Sequence, residues 1–251
     1  MKKIFLLFII VFTLYGCFRE EDDSIDNCSS DCTILQGRVV TTNNQGISGI
    51  NVTLEFFNGA SLSSYTRLIS DINSNDSGNF IDEFYLKDEE IDENSYGNLI
   101  LRIDESGLNA REDIITPNSA NISLERWFVI NNRDTIIEQN YYFPKKTNVV
   151  VNLNNFIPLQ ENDRFEVRPL FPYGYENPEP ENYNNILETI YIPTNGPLYE
   201  ATEINNSLNV ILAQNEKNII RIYKTKNGVY TYDEIILDVN SSSPNEITIE
   251  Y

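Results

Sequence analysis

The stretch INVTLEFF, residues 50 to 57, alternates apolar and polar side chains over its first seven positions. In an extended chain successive side chains point to opposite faces, so this alternation places four apolar residues on one face. These residues are Ile50, Val52, Leu54 and Phe56. The pattern predicts a strand that buries one face against a core and leaves the other face to solvent.

Similar short runs, separated by turn residues, continue outward from this stretch. The chain contains only five alanines, whereas β-branched and aromatic residues, which suit a pleated surface, are abundant. We therefore predict an all-β fold built from many short strands. The predicted strands cover 34–41, 50–57, 63–71, 79–86, 96–104, 119–130, 135–143, 147–153, 165–171, 188–192, 208–213, 218–224, 229–237 and 246–251.

Turn residues indicate how some of these strands connect. The segment 73–78, rich in Asn and Ser, predicts a hairpin between 63–71 and 79–86. The strands at 119–130 and 135–143 are expected to form a second pair.

In the second half, the last four strands predict a meander, in which Asn227-Gly228 is the strongest hairpin signal. The segment 169–180 is too rich in proline for a central strand and is predicted as a loop.

Two neighbouring segments share a pattern of glycines and apolar residues, LQGRVVTTNNQGISGINVTLEF (35–56) and SDINSNDSGNFIDEFYL (70–86). Together they resemble the carboxypeptidase regulatory-like, transthyretin-like domain, although Ile47 stands where that family usually has proline. The resemblance implies a seven-stranded Greek-key β-sandwich without peptidase activity, which serves as a spacer, a stabiliser or a binding platform. The matching positions are Gly37, Val39, Ile47, Gly49, Ile50, Val52, Asp76, Gly78 and Phe80.

We predict two β-sandwich modules, transthyretin-like or immunoglobulin-like, after an N-terminal leader and a short tether. The first module is expected over 33–155, with 105–145 as an insertion, and the second over 156–251. In the alternative arrangement, the second half shares one core with the first.

The leader begins with Lys2 and Lys3 and continues with twelve mostly apolar residues, 4–15. A helix of that length spans about 18 Å, well short of the roughly 30 Å of a bilayer core. The combination of a cationic start and a short apolar run predicts a signal peptide over 1–16.

The segment Leu14-Tyr15-Gly16-Cys17 resembles the lipobox of bacterial lipoproteins. The resemblance implies that Cys17 becomes the acylated (diacylglycerol- and palmitate-bearing) N-terminus of the mature protein, with 17–32 as an acidic tether. The acidic run 18–23 resembles the signal that exports Bacteroidota lipoproteins to the outer face of the outer membrane, and Asp23-Ser24-Ile25 and Asp134-Thr135-Ile136 resemble O-glycosylation sites of that phylum. These resemblances predict an outer-membrane, lipid-anchored protein that faces the cell exterior.

Composition limits the chemistry. The formal charge is 18 − 38 = −20, which disfavours nucleic acids and anionic headgroups as partners. The absence of histidine excludes Ser-His-Asp and Cys-His catalysis and histidine-ligated zinc. We expect no cofactor and no metal. Cys28 and Cys32 form either a disulfide or a pair of free thiols.

Two segments are candidate ligand sites. Asp71 to Gly78 carries oxygen ligands at alternating positions and is either a calcium loop or an Asn/Asp-rich turn. Tyr173 and Tyr175, with Phe171 and Tyr183 nearby, lie in the proline-rich loop, where their rings either stack on a sugar or a partner or pin the loop to its own domain.

These features predict a non-catalytic envelope protein that acts as a structural or binding module. Its expected partners are the membrane, through Cys17, and a glycan or another envelope protein. An accessory glycan-binding subunit of a surface uptake system is the alternative. A histidine-independent glycoside hydrolase that uses paired carboxylates is a third.

Overall fold

The computed structural model describes residues 28–59, 64–91, 97–120, 124–176, 187, 189–239 and 246–251. The predicted signal peptide, Cys17 and most of the tether lie outside the described residues. Among the helices in the described ranges, none combines the length and the apolar character needed to cross a membrane. The described chain is all-β, as predicted.

The seventeen strands that the structure describes are β1 (Thr33–Thr41), β2 (Gln45–Gly46), β3 (Asn51–Asn58), β4 (Tyr65–Asn73), β5 (Asn79–Phe84), β6 (Gly97–Ile103), β7 (Arg126–Phe128), β8 (Ile136–Glu138), β9 (Tyr141–Tyr142), β10 (Lys146–Asn154), β11 (Arg164–Glu176), β12 (Tyr191–Asn195), β13 (Tyr199–Ala201), β14 (Asn206–Ala213), β15 (Glu216–Lys226), β16 (Val229–Val239) and β17 (Glu246–Glu250). Two short helices, α1 (Glu105–Asn109) and α2 (Pro117–Ala120), and two 3₁₀ turns, Thr42–Asn44 and Asp88–Glu90, complete the described elements.

The first core lies between two sheets. One sheet has the strand order β4-β3-β6-β7, and the other contains β1 with β5, β8 and β9 as neighbours. The apolar face predicted for β3 is buried, since Val52, Leu54 and Phe56 are at most 1% exposed. The predicted insertion 105–145 is an integral part of this core, because it contributes Leu108, Ile114, Ile115, Ala120, Leu124, Ile137, Tyr141 and Phe143.

The predicted hairpin between 63–71 and 79–86 is wrong. β4 pairs with β3, whereas β5 pairs with β1, so the two strands belong to different sheets. Ser74 donates its amide hydrogen to the carbonyl of Ile50 and accepts from the amide of Gly49, which ties the crossing chain to the start of β3. The turn residues therefore mark a change of sheet.

The predicted pairing of 119–130 with 135–143 is also wrong. β7 pairs with β6, while β8 and β9 run parallel to β1. Short strands of two or three residues contain too few side chains for their alternation to specify a partner.

The second core lies between the sheet β14-β10-β17 and the strands β11, β13, β15 and β16. β10 falls within the predicted first module, 33–155, but it pairs with β14 and β17. Its buried residues Val149, Val151 and Leu153 contact the second core. The change from one core to the other therefore comes before β10. Alternation predicts which side chains of a strand are buried but not which sheet covers them.

The predicted meander of the last four strands is wrong as a whole, although its hairpin is correct. β15 and β16 pair around Asn227-Gly228, whose φ values of 53° and 76° are those of the expected tight turn. β14 lies in the opposite sheet, and β17 runs parallel to β10.

β11 connects the two cores. The prediction of a loop over 169–180 is wrong for its first part, because β11 continues to Glu176 through Pro169 and Pro172. Pro169 lies between the residues that pair with β13 and those that pair with β12. Pro172 lies between the last pair with β15 and the first pair with β9. Both prolines thus occupy junctions between partner strands, where a missing N–H breaks no ladder.

Candidate functional site

The structure joins Cys28 and Cys32 by a disulfide, with their Cα atoms 5.6 Å apart. Glu83 lies beside them, so that its carboxylate and the two sulfurs are within 4.8 Å of one another. Metals bind cysteine as the thiolate, and a disulfide offers none. The disulfide is therefore a covalent link that closes a short loop just before β1.

In the segment from Asp71 to Gly78, side-chain oxygens serve the fold. The Asn75 Oδ1 atom accepts from the amides of Ser77 and Asn79, both at 3.0 Å. Asp71 accepts from the side chain of Asn51 on the neighbouring strand. These hydrogen bonds give Asn75 a structural role in the turn and Asp71 one in the adjoining strand.

Tyr173 is fully buried, which corrects the expectation that its ring could stack on a ligand. Its ring meets Phe143 edge-on at a centroid distance of 5.3 Å, and burial raises the pKa of its hydroxyl. Tyr175 is half-buried and packs against the same core. The geometry of both rings fits the alternative role of holding the chain to its own core. Tyr183 lies outside the described residues.

A groove of about 540 Å³ contains the stacked rings of Tyr142 and Tyr191, with centroids 4.8 Å apart. The hydroxyl of Tyr142 donates a hydrogen bond to Glu216. Burial raises the pKa of the Glu216 carboxyl, and it also raises the pKa of Tyr142. Glu216 is the single carboxylate among the groove's described lining residues, so a facing pair of acids is not formed there.

A second groove, of about 560 Å³, does bring acids together, namely Asp104, Glu105 and Glu125 with Arg102. The hydroxyl of Ser106 lowers the pKa of Asp104, and the guanidinium of Arg102 lowers the pKa of Glu125. A glycosidase needs one carboxylic acid that stays protonated near neutral pH, which requires a raised pKa. The pKa values of Asp104 and Glu125 are shifted in the opposite direction.

The remaining candidate is the outer side of β11, β15 and β16. Val167, Ile220 and Ile222 point into the second core, so the alternate residues of these strands point away from it. We call this surface the tyrosine face. It comprises Glu166, Arg168, Arg221, Tyr223, Tyr230, Tyr232 and Glu234.

The register of the hairpin places the three rings side by side. Tyr223 is the direct partner of Tyr232, and Tyr230 follows one step along the same face. The ring centroids of Tyr223 and Tyr230 are 5.8 Å apart with an interplanar angle of 25°, and those of Tyr223 and Tyr232 are 6.3 Å apart. Tyr230 and Tyr232 remain 59% and 54% exposed, so their rings are open to a ligand.

Charged groups fix the rings in place. The guanidinium of Arg168 lies 5.8 Å from the centroid of Tyr223, and that of Arg221 lies 5.4 Å from the centroid of Tyr232. Arg221 is also paired with Glu234 at 2.7 Å. On this side of the sheet Arg168 and Arg221 balance Glu166 and Glu234, and Arg164 adds one positive charge, in a chain whose net charge is −20. The face is thus an aromatic surface that does not share the net negative charge of the chain.

Comparison with known proteins gives no assignment by sequence: no protein-family model matches the chain, and no curated protein matches it. Among solved structures, it is similar to a Streptococcal ancillary pilin, with a TM-score of 0.32 and 8% identity over 89% of this chain and 63% of that one. The chain therefore spans less than two thirds of that pilin.

Two further similar structures are also pilins. A variant of the major pilin subunit of Bacillus cereus has a TM-score of 0.31 and 10% identity, over 83% of this chain and 69% of that one. A variant of the shaft pilin of Lactobacillus rhamnosus GG has a TM-score of 0.30 and 9% identity, over 87% and 98%.

Proposed function

We propose that this chain is a non-catalytic, saccharide-binding protein of the cell envelope, held at the outer membrane by acyl chains on Cys17. The observation that carries the binding role is the tyrosine face, with the exposed rings of Tyr230 and Tyr232 held beside charged hydrogen-bonding groups on a rigid sheet. Exposed apolar surface of this kind commonly marks an interaction site on a soluble domain.

The chemistry of the face suits a sugar. The C–H faces of a pyranose ring are apolar and pack on aromatic rings, whereas its hydroxyl groups need donors and acceptors around them. Arg221 offers donors and Glu234 offers acceptors next to the ring of Tyr232. Because the paired strands hold these groups in position, binding costs little ordering of side chains.

The binding role is tested by the Tyr230→Ala/Tyr232→Ala double variant. We expect it to lose at least about tenfold in affinity for the oligosaccharide that wild type binds best on a glycan array, since exposed tyrosines are frequent binding hot spots. Affinities are measured by isothermal titration calorimetry.

The matched control is Trp127→Ala, which removes another half-exposed aromatic ring, on β7 and away from the tyrosine face. It should bind as wild type does. Wild type that binds no glycan on the array, or a double variant that binds as tightly as wild type, contradicts the proposal. If a protein partner binds through the same two tyrosines and no glycan does, the ligand of the tyrosine face is a protein and not a saccharide.

The anchor is supported by the ordered pattern of Lys2, Lys3, the apolar run 4–15 and Cys17. Each acyl CH₂ buried in the membrane contributes about 0.8 kcal/mol, and stable anchoring needs more than one chain. An acylated Cys17 therefore compensates for the repulsion between an acidic chain and anionic headgroups. The acidic run that follows supports exposure at the cell exterior.

The anchor is tested by mass spectrometry of the native protein and by the Cys17→Ser variant. We expect a mature chain that starts at an acylated Cys17, and we expect Cys17→Ser to leave the membrane fraction. The Cys28→Ser/Cys32→Ser variant, which removes two other cysteines, should stay in that fraction. An unmodified chain that still begins at Met1 rules out the anchor.

A further inference from the structure

We infer that Arg168 binds a carboxylate of the saccharide, so that the tyrosine face prefers acidic sugars such as uronates over neutral ones. The inference rests on the proposed function and names its ligand class. Three observations about Arg168 carry it.

The first observation is an unsatisfied hydrogen-bond donor. The Nε atom of Arg168 is buried and has no hydrogen-bond partner, and no ion pair to Arg168 is found in the part of the chain that the structure describes. Arg67, Arg102, Arg133 and Arg221 are paired with acids. Arg38, whose Nε is also without a partner, donates through its other guanidinium nitrogens to Asn44 and to the carbonyl of Ser77. Arg168 has neither kind of contact among the described residues, which leaves its donors for an external anion.

The second observation is the charge opposite Arg168. Its direct partner across the ladder is Arg221, and like charges at that position repel. Arg221 is neutralised by Glu234 on its far side, which leaves Arg168 without a balancing carboxylate of its own. Glu166 lies two residues away on the same face and forms no ion pair with Arg168. An anion bound at Arg168 would relieve this repulsion.

The third observation is a concave space next to the arginine. A cavity of about 390 Å³ is bordered by Arg168 and by the connection from β12 to β13, including Asn195 and Leu198. The guanidinium of Arg168 also lies over the ring of Tyr223. A sugar ring on the tyrosines can therefore extend its carboxylate to Arg168, whose planar fork of donors matches a carboxylate with two parallel hydrogen bonds.

The test compares trigalacturonate with its methyl ester, two ligands that share the sugar rings and differ in charge. Calorimetry of the mature chain should give at least about tenfold tighter binding of the acid, equivalent to ~1.4 kcal/mol. Arg168→Gln should reduce that preference to less than about threefold, and the ratio of the two affinities separates this effect from any general weakening of the face. The matched control, Lys146→Gln, removes one positive charge from an exposed position on β10, in the opposite sheet of the second core, and should retain the full preference.

The outcomes separate the two proposals. Equal affinity of wild type for the acid and the ester overturns the role of Arg168 and leaves the saccharide site standing. A preference that persists in Arg168→Gln places the anion elsewhere and also overturns it. A sulfated trisaccharide that binds more tightly than trigalacturonate overturns the carboxylate. If no saccharide binds wild type, both proposals fail.

Discussion

Replacing Arg67 alone, in the Arg67→Met variant, should destabilise the protein by about 3 to 5 kcal/mol. Arg67 and Glu90 form an ion pair whose side chains are 1% and 0% exposed. The substitution leaves the Glu90 carboxylate buried without its cation, and the cost of desolvating that charge is then uncompensated. Unfolding in urea, followed by circular dichroism, measures the loss.

The geometry explains why the loss should be large. The Nε and Nη2 atoms of Arg67 each lie 2.5 Å from one oxygen of Glu90, so the pair is bidentate. Glu90 also accepts from the backbone amide of Lys87 at 2.8 Å, which fixes the 3₁₀ turn that follows β5. The pair therefore connects β4, in one sheet of the first core, to the chain that leaves the other sheet.

The double variant Arg67→Met/Glu90→Leu provides the decisive comparison. Removing both charges leaves two apolar side chains in an apolar site. We therefore expect the double variant to recover most of the stability that Arg67→Met loses. Arg102→Met is the exposed control, because Arg102 is 35% exposed and its partners Glu55 and Glu125 are 24% and 40% exposed, so each pair should be worth at most about 1 kcal/mol. A double variant that is less stable than Arg67→Met would show that the ion pair itself stabilises the fold.

The tyrosine face could have been predicted from the sequence, although it was not. Asn227-Gly228 indicates a two-residue hairpin turn, which pairs Lys226 with Val229. Counting outward from that pair brings Tyr223 opposite Tyr232, with Tyr230 beside them. The aromatic residues near the prolines are more conspicuous in the sequence, but the register that joins these three tyrosines is already specified by local turn chemistry.

Other features follow from contacts that no local pattern encodes. The alternation in β10 predicts which of its side chains are buried, but its partner strands, β14 and β17, lie more than fifty residues away along the chain. Arg67 and Glu90 both belong to residue types that are usually exposed, so their burial is visible only once the sheets are assembled. Register across distant strands is set by the packing of the whole core.

Truncating Tyr173, in Tyr173→Ala, should cost about 3 to 5 kcal/mol, the usual range for loss of a buried aromatic ring. Tyr173 is 0% exposed and packs against Phe171 and Phe143, at ring-centroid distances of 6.2 and 5.3 Å. It comes from β11, which also supplies Phe165 to the second core. The cavity left by the missing ring would therefore weaken the packing of β11 on the first core. Unfolding in urea should show the lower free energy of unfolding.

Tyr173→Phe should have the opposite effect and raise the free energy of unfolding by ~1 kcal/mol. The hydroxyl of Tyr173 is buried without a hydrogen-bond partner, so its removal relieves a desolvation cost while the ring stays in place. Tyr199→Phe is the matched control, because the Tyr199 hydroxyl accepts from the amide of Ile211 at 3.0 Å and its loss should destabilise the protein. If Tyr173→Phe were the more harmful of the two, the hydroxyl of Tyr173 would have a partner in solution, and the dry, purely packing role assigned to this residue would be wrong.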